Sequence, residues 1–195
     1  MRSMSGARFD AAYYDRYYGQ LKLAARVEPL VRFVCAYLEH LDISVDEVID
    51  FGCGQGFWRA PLLRAHPHTR YTGVELSEHA CETYGWEQGS VVDHELGRKA
   101  DLVICQGVLQ YLNQAQARRA IRNLARHTRG ALYLEALTQE DWDHNCDQTA
   151  TDGDVHLRPA AWYREQLSAH FFNCGGGLFV PRDSDVVMFE LEKLV

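Results

Sequence analysis

The sequence predicts an α/β fold: a Rossmann-like sandwich of helices around a mostly parallel sheet, formed by all 195 residues as one domain. Three observations predict it. Short β-rich runs alternate with amphipathic helical patterns along the chain. Gly52, Gly54 and Gly56 stand between the first such run and the helix after it. The composition, 47% hydrophobic and 24% charged, is that of an ordinary globular domain and excludes a disordered or collagenous chain.

Each element follows from local pattern. Val27, Leu30, Val31, Val34, Leu38 and Leu41 recur at three- and four-residue spacing, which predicts a helix with one apolar face. Residues 47–51 read as a first strand and 71–75 as a second. Ser77 suits the cap of the next helix. The short run 90–92 predicts a third strand, 101–105 a fourth and 130–135 a fifth. Between the last two, 114–127 is helical, with Ala117, Ala120, Ile121 and Leu124 on one face. A helix is expected over 160–170. Two closing strands are expected at 177–180 and 186–192, joined by the turn residues 181–185.

Twenty Lys and Arg against 27 Asp and Glu give a net charge of -7, which disfavours nucleic acid as a partner. The six cysteines are scattered without a CxxC pair, so reduced thiols are expected rather than a disulfide framework. The N-terminus shows no apolar signal core, and no run approaches the ~20 apolar residues of a membrane span. A cytoplasmic location with no membrane partner is the expectation. Oligomeric state is not encoded in any of these patterns.

The run from Val48 to Trp58 carries the most chemistry. A dinucleotide fingerprint has the spacing G-x-G-x-x-G, its last glycine letting the helix pack on the strand. Here that position is Phe57, and the spacing is G-x-G-x-G with Asp50 ahead of it. A pyrophosphate favours a helix N-terminus without a neighbouring carboxylate. A ligand bearing an ammonium group tolerates one, and S-adenosylmethionine carries an ammonium and a sulfonium but no phosphate. Glu75, 23 residues after Gly52, ends the second strand, where a carboxylate can accept both ribose hydroxyls.

With Asp50-x-Gly-x-Gly-x-Gly56, residues 73–77, 88–93 and 101–112 in this order, the sequence resembles the class I S-adenosylmethionine-dependent methyltransferases. The resemblance implies a seven-stranded sheet of order 3-2-1-4-5-7-6 with an antiparallel last strand. It implies S-adenosylmethionine as cofactor, with Gly52, Gly54 and Gly56 toward its methionine and ribose. Glu75 would hold the ribose and Leu76 would pack on the adenine. Ser90 and Val91 would lie at the adenine edge, though many relatives have Asp in place of Ser90. Gln106 and Val108 would border the methionine arm.

Phe9 to Tyr18 packs four tyrosines into six residues. One reading is an aromatic stripe pinning the terminus to the core. The other is a lid, residues 1–20, in which Tyr14 or Tyr17 bonds the cofactor carboxylate while the ring excludes water. Residues 137–158 form an acidic segment of little periodicity, long enough to suggest a substrate-side loop. Its Glu140, Asp141, Asp143, Asp147, Asp152 and Asp154 would favour a cationic or amine-bearing substrate. Trp142, and Tyr111 after the fourth strand, are candidates for the substrate side. His144 and His156 are candidate general bases. Asp143, His144, Cys146, Asp147 and His156 match no zinc spacing, so no metal site is expected. Arg118, Arg119, Arg122, Arg126 and Arg129 read as the solvated side of a helix, with an RNA-facing surface as the alternative.

The Asn/Asp-Pro-Pro-Tyr and Pro-Cys motifs of base methylation are missing, as are acidic metal ligands after strand four. The expected function is metal-independent methyl transfer to N, O or S of a small molecule. The alternatives are a non-catalytic adenosylmethionine-binding or regulatory domain, and an RNA or protein methyltransferase.

Overall fold

The computed structural model describes residues 6–18 and 22–194. Residues 1–5, 19 and 20 of the expected lid lie outside the described residues. A short 3-10 turn, Gly6–Arg8, leads into α1 (Ala11–Tyr18) and α2 (Lys22–His40). Then come β1 (Glu47–Phe51), α3 (Arg59–Ala65), β2 (Arg70–Glu75), α4 (Glu78–Tyr84) and β3 (Glu87–Gln88). β4 (Ala100–Gln106) ends in a 3-10 turn, Leu109–Tyr111, before α5 (Gln114–His127) and β5 (Thr128–Glu135). The chain closes with α6 (Gln139–His144), α7 (Ala160–Ser168), β6 (Phe171–Gly175), β7 (Leu178–Pro181) and a 3-10 turn at Glu190–Glu192.

The seven strands lie in the order 3-2-1-4-5-7-6. β1 pairs in parallel with β2 and β4, and β4 with β5. β7 runs antiparallel to both β5 and β6, so it alone is reversed. The strand period of two divides the core between the faces. Ile49, Phe51, Val103 and Cys105 pack with α5 and α7. Val48, Leu102 and Ile104 pack with α2 and α3 on the other face. These strands are apolar on both sides because both sides are covered.

Two expected strands are corrected. The third strand is not 90–92 but Glu87–Gln88, which pair with Val74 and Glu75. Ser90 instead opens a turn: its carbonyl accepts the N–H groups of Asp93 and His94, at 3.1 and 2.8 Å. Val91 and Val92 are apolar because they pack against the α5 side of the core, not because they pair. The closing hairpin is also displaced. It joins β6 to β7 through Gly175, Gly176 and Gly177, all at positive φ (80°, 59° and 80°). Three consecutive left-handed residues are accessible to glycine without steric cost, so this turn outranks the Pro-Asp-Ser signal. Residues 186–192 form no strand; Val187 and Phe189 face solvent, and Leu194 makes one bridge to Asn173. The acidic segment is more regular than expected, since Thr138 caps α6 with a capping box.

A buried carboxylate ties the starts of β1, β4 and β5 together. Asp101, 4% exposed, accepts the N–H groups of Asp46 (3.1 Å) and Glu47 (2.9 Å). It also accepts Arg129 Nε (3.0 Å) and Nη2 (2.6 Å). Asp101→Ala strands these donors and is expected to cost roughly 2–4 kcal/mol of unfolding free energy. Urea denaturation reads the loss; a change below about 0.5 kcal/mol would exclude this role.

Candidate active site

The site starts at Glu75, the last residue of β2 and 6% exposed. A carboxylate this buried needs donors. Its Oε1 accepts the backbone N–H groups of Leu76 (2.7 Å) and Ser77 (2.9 Å). Its Oε2 accepts the N–H of Gly54 at 2.9 Å. The glycine loop after β1 is thereby clipped to the tip of β2. Gly56 lies at φ 73°, and a Cβ there would overlap the ring of Trp86. Trp86 in turn donates its Nε1–H to the Gly54 carbonyl at 2.8 Å.

A cavity of about 570 Å³, its open mouth included, lies beyond the ends of β1, β2 and β4. That is the position ligands take in open α/β sheets. Glu75, Leu76, Ser90, Val91, Gln106 and Val108 all line it. The roof is aromatic. Phe9, Tyr13, Tyr14 and Tyr18 face it from the N-terminal segment, and Tyr111 from the 3-10 turn after β4. The Tyr13 and Tyr111 hydroxyls share a 2.8 Å hydrogen bond, and Ser77 Oγ donates to the Phe9 carbonyl. Burial raises the pKa of Tyr13, Tyr14, Tyr18 and Tyr111 above the usual phenol value, so these hydroxyls stay protonated donors.

The same roof is clasped to the acidic segment. Arg8 pairs with Asp152 at 2.6 Å and Asp154 at 3.1 Å, and its guanidinium lies over the Tyr111 ring, 5.2 Å from the centroid. The other acids of the segment are largely spent on local structure. Asp141 bonds Thr138 in the α6 cap, Glu140 accepts the Ala160 N–H at the start of α7, and Asp147 closes a turn on Thr149. Those hydrogen bonds hold all three carboxyls below their ordinary pKa. Buried Arg158 anchors the segment by donating to the carbonyls of Leu109, Leu112 and His156.

Gln106, at the tip of β4, is held on both sides. Its Oε1 accepts Trp58 Nε1–H at 2.8 Å, and its Nε2 donates to Glu135 Oε2 at 3.1 Å. Tyr133 donates to the same Glu135 oxygen at 3.0 Å.

Among the residues singled out from sequence, Tyr14, Gly52, Glu75, Leu76, Ser90, Val91, Gln106, Val108 and Tyr111 are brought together around the cavity. Tyr17, Gly54, Gly56 and Trp142 stand behind or beside the lining. Trp142 packs over Gly153 within the acidic segment. His144 and His156 are exposed and do not reach the cavity. Asp50 is buried, on the face of β1 toward α2 and α3, and accepts the Tyr71 hydroxyl. Its pKa is pushed up to about 7 by burial, with the charge of Glu75 adding and the Tyr71 hydrogen bond opposing. Phe9, Tyr13 and Tyr18 are lining residues the sequence reading did not assign. For Tyr18 the signal is its four-residue spacing from Tyr14 on one face of α1; Phe9, ahead of the helix, packs edge-on against Tyr13 and Tyr111. Among the described residues, no group of three or more His, Cys, Asp or Glu is placed to hold a metal.

The profile of a methyltransferase domain family matches residues 49–131. Solved structures with the same fold include DesVI from Streptomyces venezuelae, 16% identical, with 92% of this chain and 100% of that one covered and a TM-score of 0.66. The sugar N-methyltransferase KedS8 from a Streptoalloteichus species is 21% identical, with 93% and 94% covered and a TM-score of 0.62. The plantazolicin methyltransferase BpumL, solved with SAH and a desmethyl plantazolicin analogue, is 13% identical, with 84% and 68% covered and a TM-score of 0.64. No curated protein matches the sequence. The matched segment is similar to a methyltransferase domain, and the chain has the fold of these methyltransferase structures.

The raised Asp50 pKa has a pH signature. A folded-state value above the unfolded one contributes stability that is full below about pH 4 and is lost as pH rises through about 7. Asp50→Asn keeps an acceptor for Tyr71 and cannot ionise. Between pH 5 and pH 8 the wild type should lose on the order of 2–4 kcal/mol relative to Asp50→Asn. Parallel urea titrations check this; identical pH profiles would show that Asp50 titrates as an ordinary carboxyl.

Proposed function

We propose that this protein transfers a methyl group from S-adenosylmethionine to a nitrogen, oxygen or sulfur of a small molecule without using a metal. The observation that carries the reading is Glu75: a buried carboxylate, fixed by three backbone donors, facing an aromatic-roofed cavity at the tip of β2. Such a group is pre-oriented to accept the hydroxyls of a ribose.

The bound cofactor supplies a methyl group already activated by its sulfonium. The residues of this chain bind, orient and exclude water. Glu75 holds the ribose, while Leu76 and Val91 flank the adenine with Ser90 at its edge. Gln106, braced by Trp58 and Glu135, fixes the methionine side together with Val108. The phenols of Tyr13, Tyr14 and Tyr18 close the roof and keep donors inside it. In-line displacement at a good leaving group gains chiefly from such positioning. No general base is assigned, since His144 and His156 lie off the cavity.

In this reading the whole chain is one domain. Residues 1–20 act as the lid and 137–158 as the substrate-side loop. The acceptor enters on the side of Tyr111, where Asp152 lies close enough for its charge to act on Tyr13, Tyr18 and Tyr111. That carboxylate is already paired with Arg8, so an amine-bearing acceptor must displace the guanidinium to reach it. A cytoplasmic setting, in which the six free thiols stay reduced, fits the same reading. No described helix is long and apolar enough to cross a membrane.

Glu75→Ala should weaken cofactor binding by roughly 1.5–3 kcal/mol, the scale of a lost hydrogen bond to a charged group. Calorimetry with S-adenosylmethionine and its demethylated product reads this; unchanged affinity removes Glu75 from the site. Deleting residues 1–20 should weaken cofactor binding at least tenfold, and Arg8→Ala, which releases the clasp to Asp152 and Asp154, should do so by a smaller factor. A truncated chain that binds as tightly as the full one refutes the lid. Turnover is assayed against amines, phenols and thiols, and cofactor binding with no transfer to any of them would contradict the enzyme reading.

A further inference from the structure

A second concavity lies at the opposite end of the molecule. The cavity above uses the carboxyl ends of β2 and β4. The second one is bordered by Lys99 just before β4, by His170 just before β6, and by Pro181 and Arg182 at the end of antiparallel β7. All of these sit at the amino-terminal edge of the parallel strands. Its long wall is α5, which contributes Arg119, Arg122 and Arg126. Spacing of three and then four residues places the three on one helix face. The groove is large, about 1480 Å³ with the space open to solvent included.

On a chain of net charge -7, the local balance is reversed. Five permanent cations line the groove against the three carboxylates of Asp93, Glu95 and Asp183. Two of the cations are partly answered: Arg119 by Asp93 at 3.3 Å and Arg126 by Glu95 at 2.9 Å. Among the described residues, Lys99, Arg122 and Arg182 form no ion pair. Arg182 is oriented rather than neutralised, because its Nε donates to the Ser168 carbonyl at 2.6 Å and its guanidinium stacks on Phe172. Like charges gathered from three separate parts of the chain repel one another, and a solvated helix face gives no reason for Lys99 and Arg182 to join the arginines.

The neighbours of this patch on the same helix and strand behave differently. Arg118 reaches away to Gln166, and Arg129 is neutralised by Asp101. The five arginines between residues 118 and 129 therefore do not form one surface. Three turn into the groove and two are committed elsewhere.

We propose that this groove is a binding site for a small ligand carrying a di- or polyphosphate group, separate from the methyl-transfer cavity. Guanidinium forks match phosphate oxygens in a bidentate manner, and among the described residues Arg122 has no ion-pair partner to occupy its donors. A single weak anion gains little against Asp93, Glu95 and Asp183, whereas a linked pair of phosphates engages Lys99, Arg122 and Arg182 together. Val92, Ala125 and Ala169 give the groove apolar wall for an uncharged remainder of the ligand.

Inorganic pyrophosphate, inorganic phosphate and a single-stranded oligouridylate are titrated into the full-length protein by calorimetry at two salt concentrations. Pyrophosphate is expected to bind at least tenfold more tightly than phosphate, and to weaken as salt rises. Arg122→Gln and Lys99→Gln should each lower pyrophosphate affinity at least fivefold, while Arg118→Gln, on the same helix but outside the groove, leaves it unchanged. All three positions are exposed, so melting temperatures and cofactor affinity should stay at wild-type values, and the result stands whether or not the methyl-transfer reading does. Equal weakening by Arg118→Gln, no difference between pyrophosphate and phosphate, or tighter binding of the oligouridylate would each overturn the proposal.

Discussion

The arrangement rests on a buried carboxylate that must be satisfied. Glu75 stands where β2 leaves the sheet, and burial there is tolerable only with hydrogen-bond donors. It takes them from three backbone positions: two from the chain that continues past it and one from Gly54 across the β1 loop. That requirement fixes the glycine loop against the second strand. It leaves the carboxylate held from three backbone positions and lining the cavity.

The rest of the cavity is built outward from that point. Ser77, next to Glu75's donors, both caps α4 and bonds the carbonyl of Phe9, so the N-terminal segment is attached to the same strand tip. From Phe9 the aromatic roof extends through Tyr13 to Tyr111, and Arg8 carries the connection on to Asp152. Strand tip, roof and acidic segment are thus one linked set of contacts. A ligand held by Glu75 beneath this roof is removed from water, where each polar contact counts for more.

Much of this was legible in the sequence, for identifiable reasons. The strand runs 47–51 and 101–105 are apolar on both faces, and the glycines at 52, 54 and 56 admit few other readings. The glycine spacing and the position of Glu75 brought most of the cavity lining into view. What was not legible depended on contacts distant in sequence. Residues 90–92 look like a strand, yet the pairing register places the strand three residues earlier. The Pro-Asp-Ser run looks like the last hairpin turn, but the three glycines ahead of it take that role. The acidic segment reads as a free electrostatic field. In three dimensions most of its carboxylates cap helices, close turns or pair with Arg8, and the one that stands near the phenols of the cavity, Asp152, is among those paired. Trp58 and Glu135, which hold Gln106 in place, carry no mark in sequence because their partnership joins the start of α3 to β4 and β5.

The most direct test of the central claim is a crystal structure with S-adenosylhomocysteine bound. The account predicts density in the cavity at the tips of β1, β2 and β4, with the ribose hydroxyls on the carboxylate of Glu75 and the roof closed over them. A nucleoside bound elsewhere, or hydroxyls turned away from Glu75, would contradict it.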